Sequence, residues 1–185
     1  NGASTYSSSY EYKHAIASYI GRINYNYDEK YLLSAVVRRD GSSRLSKNIR
    51  WGTFPSVSVG WRVDKEKFFP FTQDVMNMFK IRGSYGVLGN ENIGEFMSET
   101  PMNRDNMPYG FGNTRVTGSA VSTFTDNNLA WEKKKTTNVG IDVAMFRNRL
   151  EFTFEWYKNV SEDLLYAVPV PAQAGVSNTT VTMNA

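Results

Sequence analysis

Few residue types in this chain could support chemistry. Among its 185 residues there is one histidine, His14, and no cysteine, which leaves no thiolate nucleophile, no disulfide and no His–Cys metal cluster. His14 reads as a polar residue at the start of a strand, because no spacing supplies partners for a Ser–His–Asp triad. Asp142 and Glu155 form the one acidic pair of interest. If a two-residue turn joins their strands, they lie opposite each other with Cα atoms about 5 Å apart, a placement that could serve glycoside hydrolysis. Arg22, Arg38, Arg62, Lys80 and Arg82 form a basic stripe on the same side of their strands. Tyr109, Phe111 and Phe124 sit in polar, glycine-rich sequence; they could stack on sugar rings, or pack that segment against its neighbours. Asp40-Gly41-Ser42-Ser43-Arg44 reads as a structured turn in which Asp and Ser cap backbone donors, with cation or ligand binding as the alternative.

The elements that must position these residues are strands. From Ala15 to Arg39 the odd positions Ala17, Tyr19, Ile23, Tyr25, Tyr27, Tyr31, Leu33 and Val37 are apolar or aromatic, and Ser18, Arg22, Asn24, Asn26, Ser34 and Arg38 between them are polar. The same period of two recurs, predicting strands over about 14–27, 31–40, 54–63, 79–90, 131–146 and 150–163. Residues 91–130 read as an irregular loop, a short helix is expected near Thr72–Met78, and the tail from Ala167 reads as a further loop. Soluble strands average about 5–6 residues, whereas a tilted strand crossing a bilayer needs about 9–11, so these spans favour a membrane wall.

Composition is consistent with that reading. The chain is 14% aromatic and 21% charged, with 11 Tyr and 11 Phe. No apolar run approaches the roughly 18 residues of a membrane helix, but a transmembrane β-barrel has no need of one, since its inward half is polar. The net charge of +3 is too small to argue for nucleic acid. Connections alternate in length, which places the turns at 28–30 and 147–149 on the periplasmic side. Tyr25, Tyr27, Tyr31, Trp61 and Phe79 then gather at that rim as a lipid-facing aromatic girdle. The outward charges Lys133, Lys135 and Lys158 fall toward the opposite end.

Specific motifs sharpen the class. They are Ser18-Tyr19-Ile20-Gly21-Arg22-Ile23-Asn24-Tyr25, Arg38-Arg39-Asp40-Gly41-Ser42-Ser43-Arg44, Trp51-Gly52-Thr53-Phe54-Pro55-Ser56-Val57-Ser58-Val59-Gly60-Trp61, Lys80-Ile81-Arg82-Gly83-Ser84-Tyr85-Gly86 and Trp131-Glu132-Lys133. In this order the chain resembles the barrel of SusC/RagA-type TonB-dependent outer-membrane transporters of Bacteroidetes. The resemblance implies an all-β, antiparallel up-and-down barrel of about 22 strands, filled by an N-terminal plug. It implies active import of oligosaccharides or peptides with a SusD-like lipoprotein lid, energised by the TonB–ExbB–ExbD complex, and no cofactor, metal or catalysis. About six or seven strands cannot close so wide a lumen, so residues 1–185 are expected to be part of one barrel domain whose plug lies elsewhere. Under this reading Arg22, Asn24, Asn26, Arg38, Arg62, Arg82, Asp142 and Glu155 face the lumen or plug. A soluble β-sandwich glycan-binding module and an outer-membrane enzyme are the alternatives.

Overall fold

Alternation of apolar and polar side chains over stretches of 12 to 15 residues produces long strands here. The computed structural model describes residues 11, 13–71, 75–94, 102–121 and 123–185. In chain order the strands are β1 (Ile16–Tyr27), β2 (Tyr31–Ser42), β3 (Trp51–Arg62), β4 (Met76–Asn90), β5 (Met102–Phe111), β6 (Thr114–Val121), β7 (Glu132–Met145), β8 (Leu150–Glu162), β9 (Leu165–Pro169) and β10 (Thr180–Asn184). Six of them form one antiparallel sheet in the order β1-β2-β3-β4-β7-β8. The sheet is open, with β1 and β8 at its edges.

Pairing register gives the sheet two distinct faces, because successive side chains of a strand point to opposite sides. Asn24, Ser34, Ser58, Ser84 and Asn138 lie side by side across five strands, with Tyr157 next on β8. One residue along, Tyr25, Leu33, Val59, Gly83, Val139 and Trp156 form the matching row on the other face. The apolar face is bare: Ile23 is 69% exposed and Phe152 60%. Among the described residues no second sheet covers it, as the core of a soluble sandwich would require.

Turn chemistry explains the tight connections. Asp28 and Glu29 both adopt φ near 51°, the left-handed pair of a primed hairpin turn, and the Lys30 N–H closes onto the Tyr27 carbonyl at 2.9 Å. The β7–β8 turn is longer than expected. Phe146, Arg147 and Asn148 are all left-handed, so Met145 pairs with Leu150 across four turn residues rather than two.

Three other expectations are corrected. Residues 91–130 are not irregular throughout: β5 and β6 pair as a hairpin separate from the main sheet, turning at Gly112 with φ of 60°. The expected helix near Thr72–Met78 gives way to β4, which starts at Met76; residues 72–74 lie outside the described residues. A 3-10 turn, Val63–Lys65, supplies the local structure of that connection instead. The tail past Ala167 is a second hairpin, β9–β10.

Away from the tight turns, the loops converge on a small apolar core of Leu45, Phe54, Ile93, Leu129 and Trp131. Phe54 and Trp131 meet edge to face with centroids 5.4 Å apart, and the Trp131 indole N–H donates to the Arg50 carbonyl at 2.9 Å. The Phe54 ring fills the space above Gly52 and Gly89, where any Cβ would collide with it. Two asparagines then fasten the β9–β10 hairpin to the segment before β7. Asn178 bonds both the N–H and the carbonyl of Phe124 at 2.9 Å, and Asn184 does the same for Ala130 at 2.7 and 3.2 Å. Each amide thus substitutes for a neighbouring strand's peptide group.

Phe54→Ala should lower the unfolding free energy of the full-length protein by about 3–5 kcal/mol, measured by denaturant titration in detergent micelles. A loss under about 1 kcal/mol would mean that this cluster does not hold the loops to the sheet.

Candidate functional site

The polar face carries most of the residues singled out in the sequence, and its centre is Arg82. Across three strands Arg82, Gly140 and Glu155 are direct neighbours. Gly140 has no side chain, and a Cβ there would lie 2.8 Å from the Arg82 guanidinium carbon, so the guanidinium crosses it. Arg82 Nε donates to Asp142 Oδ2 at 3.1 Å, and Arg82 Nη1 donates to Glu155 Oε1 at 3.0 Å. The Asn138 amide adds a donor to the same Glu155 oxygen at 2.6 Å.

This arrangement corrects the expected dyad. Asp142 faces Thr153 and Glu155 faces Gly140, so the carboxylates are diagonal, each committed to one shared guanidinium. They hold an arginine across strands.

Arg82 and two more of the five stripe residues, Arg38 and Arg62, are paired with nearby acids. Arg62 forms a two-pronged bond to Asp64 at 2.8 and 2.7 Å, and Arg38 Nε donates to buried Asp40 at 2.6 Å. Arg22 and Lys80 have no ionic partner among the described residues. The Ser34 hydroxyl donates to Asn24 at 2.7 Å, while Asn26 shares a row with Leu32, Gly60 and Arg82. Because serine and glycine occupy the middle of these rows, the face is hollowed into a groove of about 440 Å³ reaching from Asn24 to Asn138.

On the apolar face Tyr27, Tyr31, Trp61, Ile81, Ile141 and Phe154 share one row. Tyr25 lies one row further from the β1–β2 turn, and Phe79 one row beyond Ile81 toward the β7–β8 turn. The polar tips of Tyr31 and Trp61 both donate to Glu66 Oε1, at 2.6 and 3.2 Å. These bonds, that of Tyr31 foremost, hold the Glu66 carboxyl below the usual carboxylate range. Burial pushes the nearby Asp64 carboxyl up, but bonds from Arg62 and from the Phe79 N–H outweigh it and leave it lowered. Lys65 binds Glu29, tying this connection to the β1–β2 turn. No sequence signal pointed to Glu66, which reaches its partners only once β2 and β3 are paired.

At the other end, Lys133 pairs with Asp163 at 2.9 Å and Lys135 with Glu162 at 2.6 Å. Lys158 sits deeper than expected, beside Thr137. His14 meets Glu91 at 3.1 Å, linking the start of β1 to the end of β4. Phe111 is 83% exposed beside the β5–β6 turn, and Phe124 is half-exposed where Asn178 grips it. No described contact brings these two together, and the Tyr109 side chain lies outside what the structure describes. Among the described residues no three His, Asp or Glu side chains group to hold a metal.

An open, two-faced sheet of long antiparallel strands, apolar and bare on one side and charge-paired on the other, is the wall of a β-barrel. The chain belongs to the TonB dependent receptor-like, beta-barrel family, which matches residues 1–185 and bears out the resemblance read from the motifs. It is similar to a TonB-dependent receptor of Formosa agariphila, 40% identical over 89% of this chain and 15% of that protein. It is also similar to TonB-dependent receptor SusC of Bacteroides thetaiotaomicron, 36% identical over 88% of this chain and 16% of that protein. Among solved structures, the RagAB peptide transporter matches with a TM-score of 0.76 and 29% identity, over 92% of this chain and 18% of that one. The chain therefore spans about one sixth of the length of the relatives it matches.

Two outcomes follow from this geometry. Arg82→Met, which takes the shared guanidinium from the diagonal Asp142 and Glu155 carboxylates, should lower the unfolding midpoint in detergent micelles slightly, and adding Glu155→Gln should recover part of the loss in a double-mutant cycle. Asp64 and Glu66 are lowered in the folded state, so their contribution is complete above the unfolded carboxylate value of about 4 and is lost as pH falls through the folded values. Unfolding midpoints should change little from these groups between pH 7 and about 5 and drop on further acidification toward about pH 3, and Asp64→Asn should flatten that drop.

Proposed function

We propose that this chain forms part of the wall of a TonB-dependent outer-membrane importer of oligosaccharides or peptides. The observation that carries the proposal is the register: six strands place apolar rows on one face and paired charges on the other, in a chain of this receptor family. Every strand of the main sheet has at least 12 residues, more than the roughly 9–11 that a tilted strand needs to cross a bilayer. The apolar face meets lipid, with Tyr25, Tyr27, Tyr31, Trp61 and Phe79 as its periplasmic girdle. Tyr31 and Trp61 suit that level, since each has an apolar body in the row and a polar tip on Glu66.

The polar face lines the lumen against a plug contributed by sequence outside residues 1–185. Arg38, Arg62 and Arg82 serve the wall itself, leaving Arg22 and Lys80 to meet plug or solute. Free edges on β1 and β8 require further strands, because unpaired backbone groups are not tolerated in lipid. Transport uses a SusD-like lipoprotein lid and the TonB–ExbB–ExbD complex; a relative named SusC and a likeness to a peptide transporter support this class. The reading involves no cofactor and no catalysis. Phe111 and Phe124, both exposed in the long connection between β4 and β7, are the side chains offered to solute or lid under this reading.

Ile23→Lys and Val57→Lys in the full-length protein, at two positions of one row on the apolar face beyond the girdle, should each block assembly into the outer membrane, since a lysine facing mid-bilayer costs about 2–4 kcal/mol. Cysteines at the same positions should react with lipid-phase reagents. Normal assembly of both lysine variants would refute the lipid-facing assignment.

A further inference from the structure

The apolar face is not uniformly filled. Between Val59 on β3 and Val139 on β7 the row reaches Gly83, and the gap opens into a groove of about 590 Å³ walled by Tyr25, Leu33, Val59, Trp61, Ile81 and Val139. Nothing in the backbone requires glycine there. Gly83 has no left-handed φ, and a Cβ would meet nothing closer than Val59 Cγ2 at 3.8 Å, an ordinary contact. Glycine inside a strand weakens it and frequently marks a place where a ligand approaches the backbone closely.

We infer that this groove seats one acyl chain of a phospholipid from the periplasmic leaflet. The inference rests on the lipid-facing reading of this face and extends it to a defined site. The groove is centred on β2, β3 and β4, with Tyr25 of the edge strand β1 and Val139 of β7 as its side walls. It is continuous with the girdle, since Trp61 walls it one row from Val59, about 7 Å along the strand. Past Trp61 the rim offers what a phosphate headgroup needs. Lys67 is exposed there with no ionic partner among the described residues, and its neighbour Phe68 packs near Trp61 with centroids 6.4 Å apart. A chain in the groove would thus leave its headgroup at a cationic, aromatic edge, where interfacial anchors favour it.

The test uses the full-length protein in phosphatidylethanolamine vesicles containing phosphatidylglycerol with a photoactivatable diazirine on its acyl chain. Crosslinks are quantified on the peptides holding Val59, Val139 and Ile23. Val59 and Val139 should label at least threefold more than Ile23. Gly83→Leu, which fills the groove, should cut that labelling at least threefold while leaving Ile23 unchanged. Gly83→Ala, whose Cβ fits without displacement, guards against a folding failure and should cut it partially. Equal labelling at all three sites, or labelling indifferent to both Gly83 variants, overturns the groove but not the lipid-facing wall. Absence of labelling at Ile23 as well overturns both.

Discussion

Strand register is the constraint on which everything else in this sheet depends. In a bilayer each backbone N–H and carbonyl must be satisfied by the adjacent strand, and a slip of one residue would exchange the two faces along the whole strand. The rows through Tyr25 and Asn24 run unbroken from β1 to β8 because the connections set that register. Left-handed Asp28 and Glu29 do so at one turn, and Phe146 to Asn148 do so at another. The Arg82 bridge depends on the same alignment, which puts an arginine, a glycine and a glutamate in line on three strands.

Parity was legible in the sequence, whereas register was not. A two-residue β7–β8 turn and the four-residue turn observed both keep Asp142 and Glu155 on one face, so alternation alone cannot distinguish them. The difference decides their chemistry. Opposed, they would form a carboxylate pair; displaced by two residues, they share a guanidinium. The β5–β6 hairpin was missed although Phe111-Gly112-Asn113-Thr114 is a turn signal, because its strands lack clean alternation. Glu66 was missed for a different reason, since its role exists only in the contact between β2, β3 and the turn that follows.

The polar face combines rigidity with open space. Of the cations that looked available for a solute, Arg38 and Arg62 are bound by acids two residues further along their own chain, and Arg82 fixes β4 to β7 and β8. Serines and glycines between them keep the surface low. A wall of this kind resists deformation while leaving room for whatever fills the lumen. At the far end, apolar packing around Leu129 and the asparagine clamps restrain the loops in the same spirit, using buried surface and paired amides instead of charge.

The most direct test of the wall is a nitroxide scan along β7, from Glu132 to Met145, in the full-length protein in lipid bilayers. Oxygen, which concentrates in lipid, should relax labels at Val139, Ile141 and Val143 most strongly, and a water-soluble nickel chelate should favour Asn138, Gly140 and Asp142. Accessibilities without a period of two, or alternating in the opposite phase, would contradict the account.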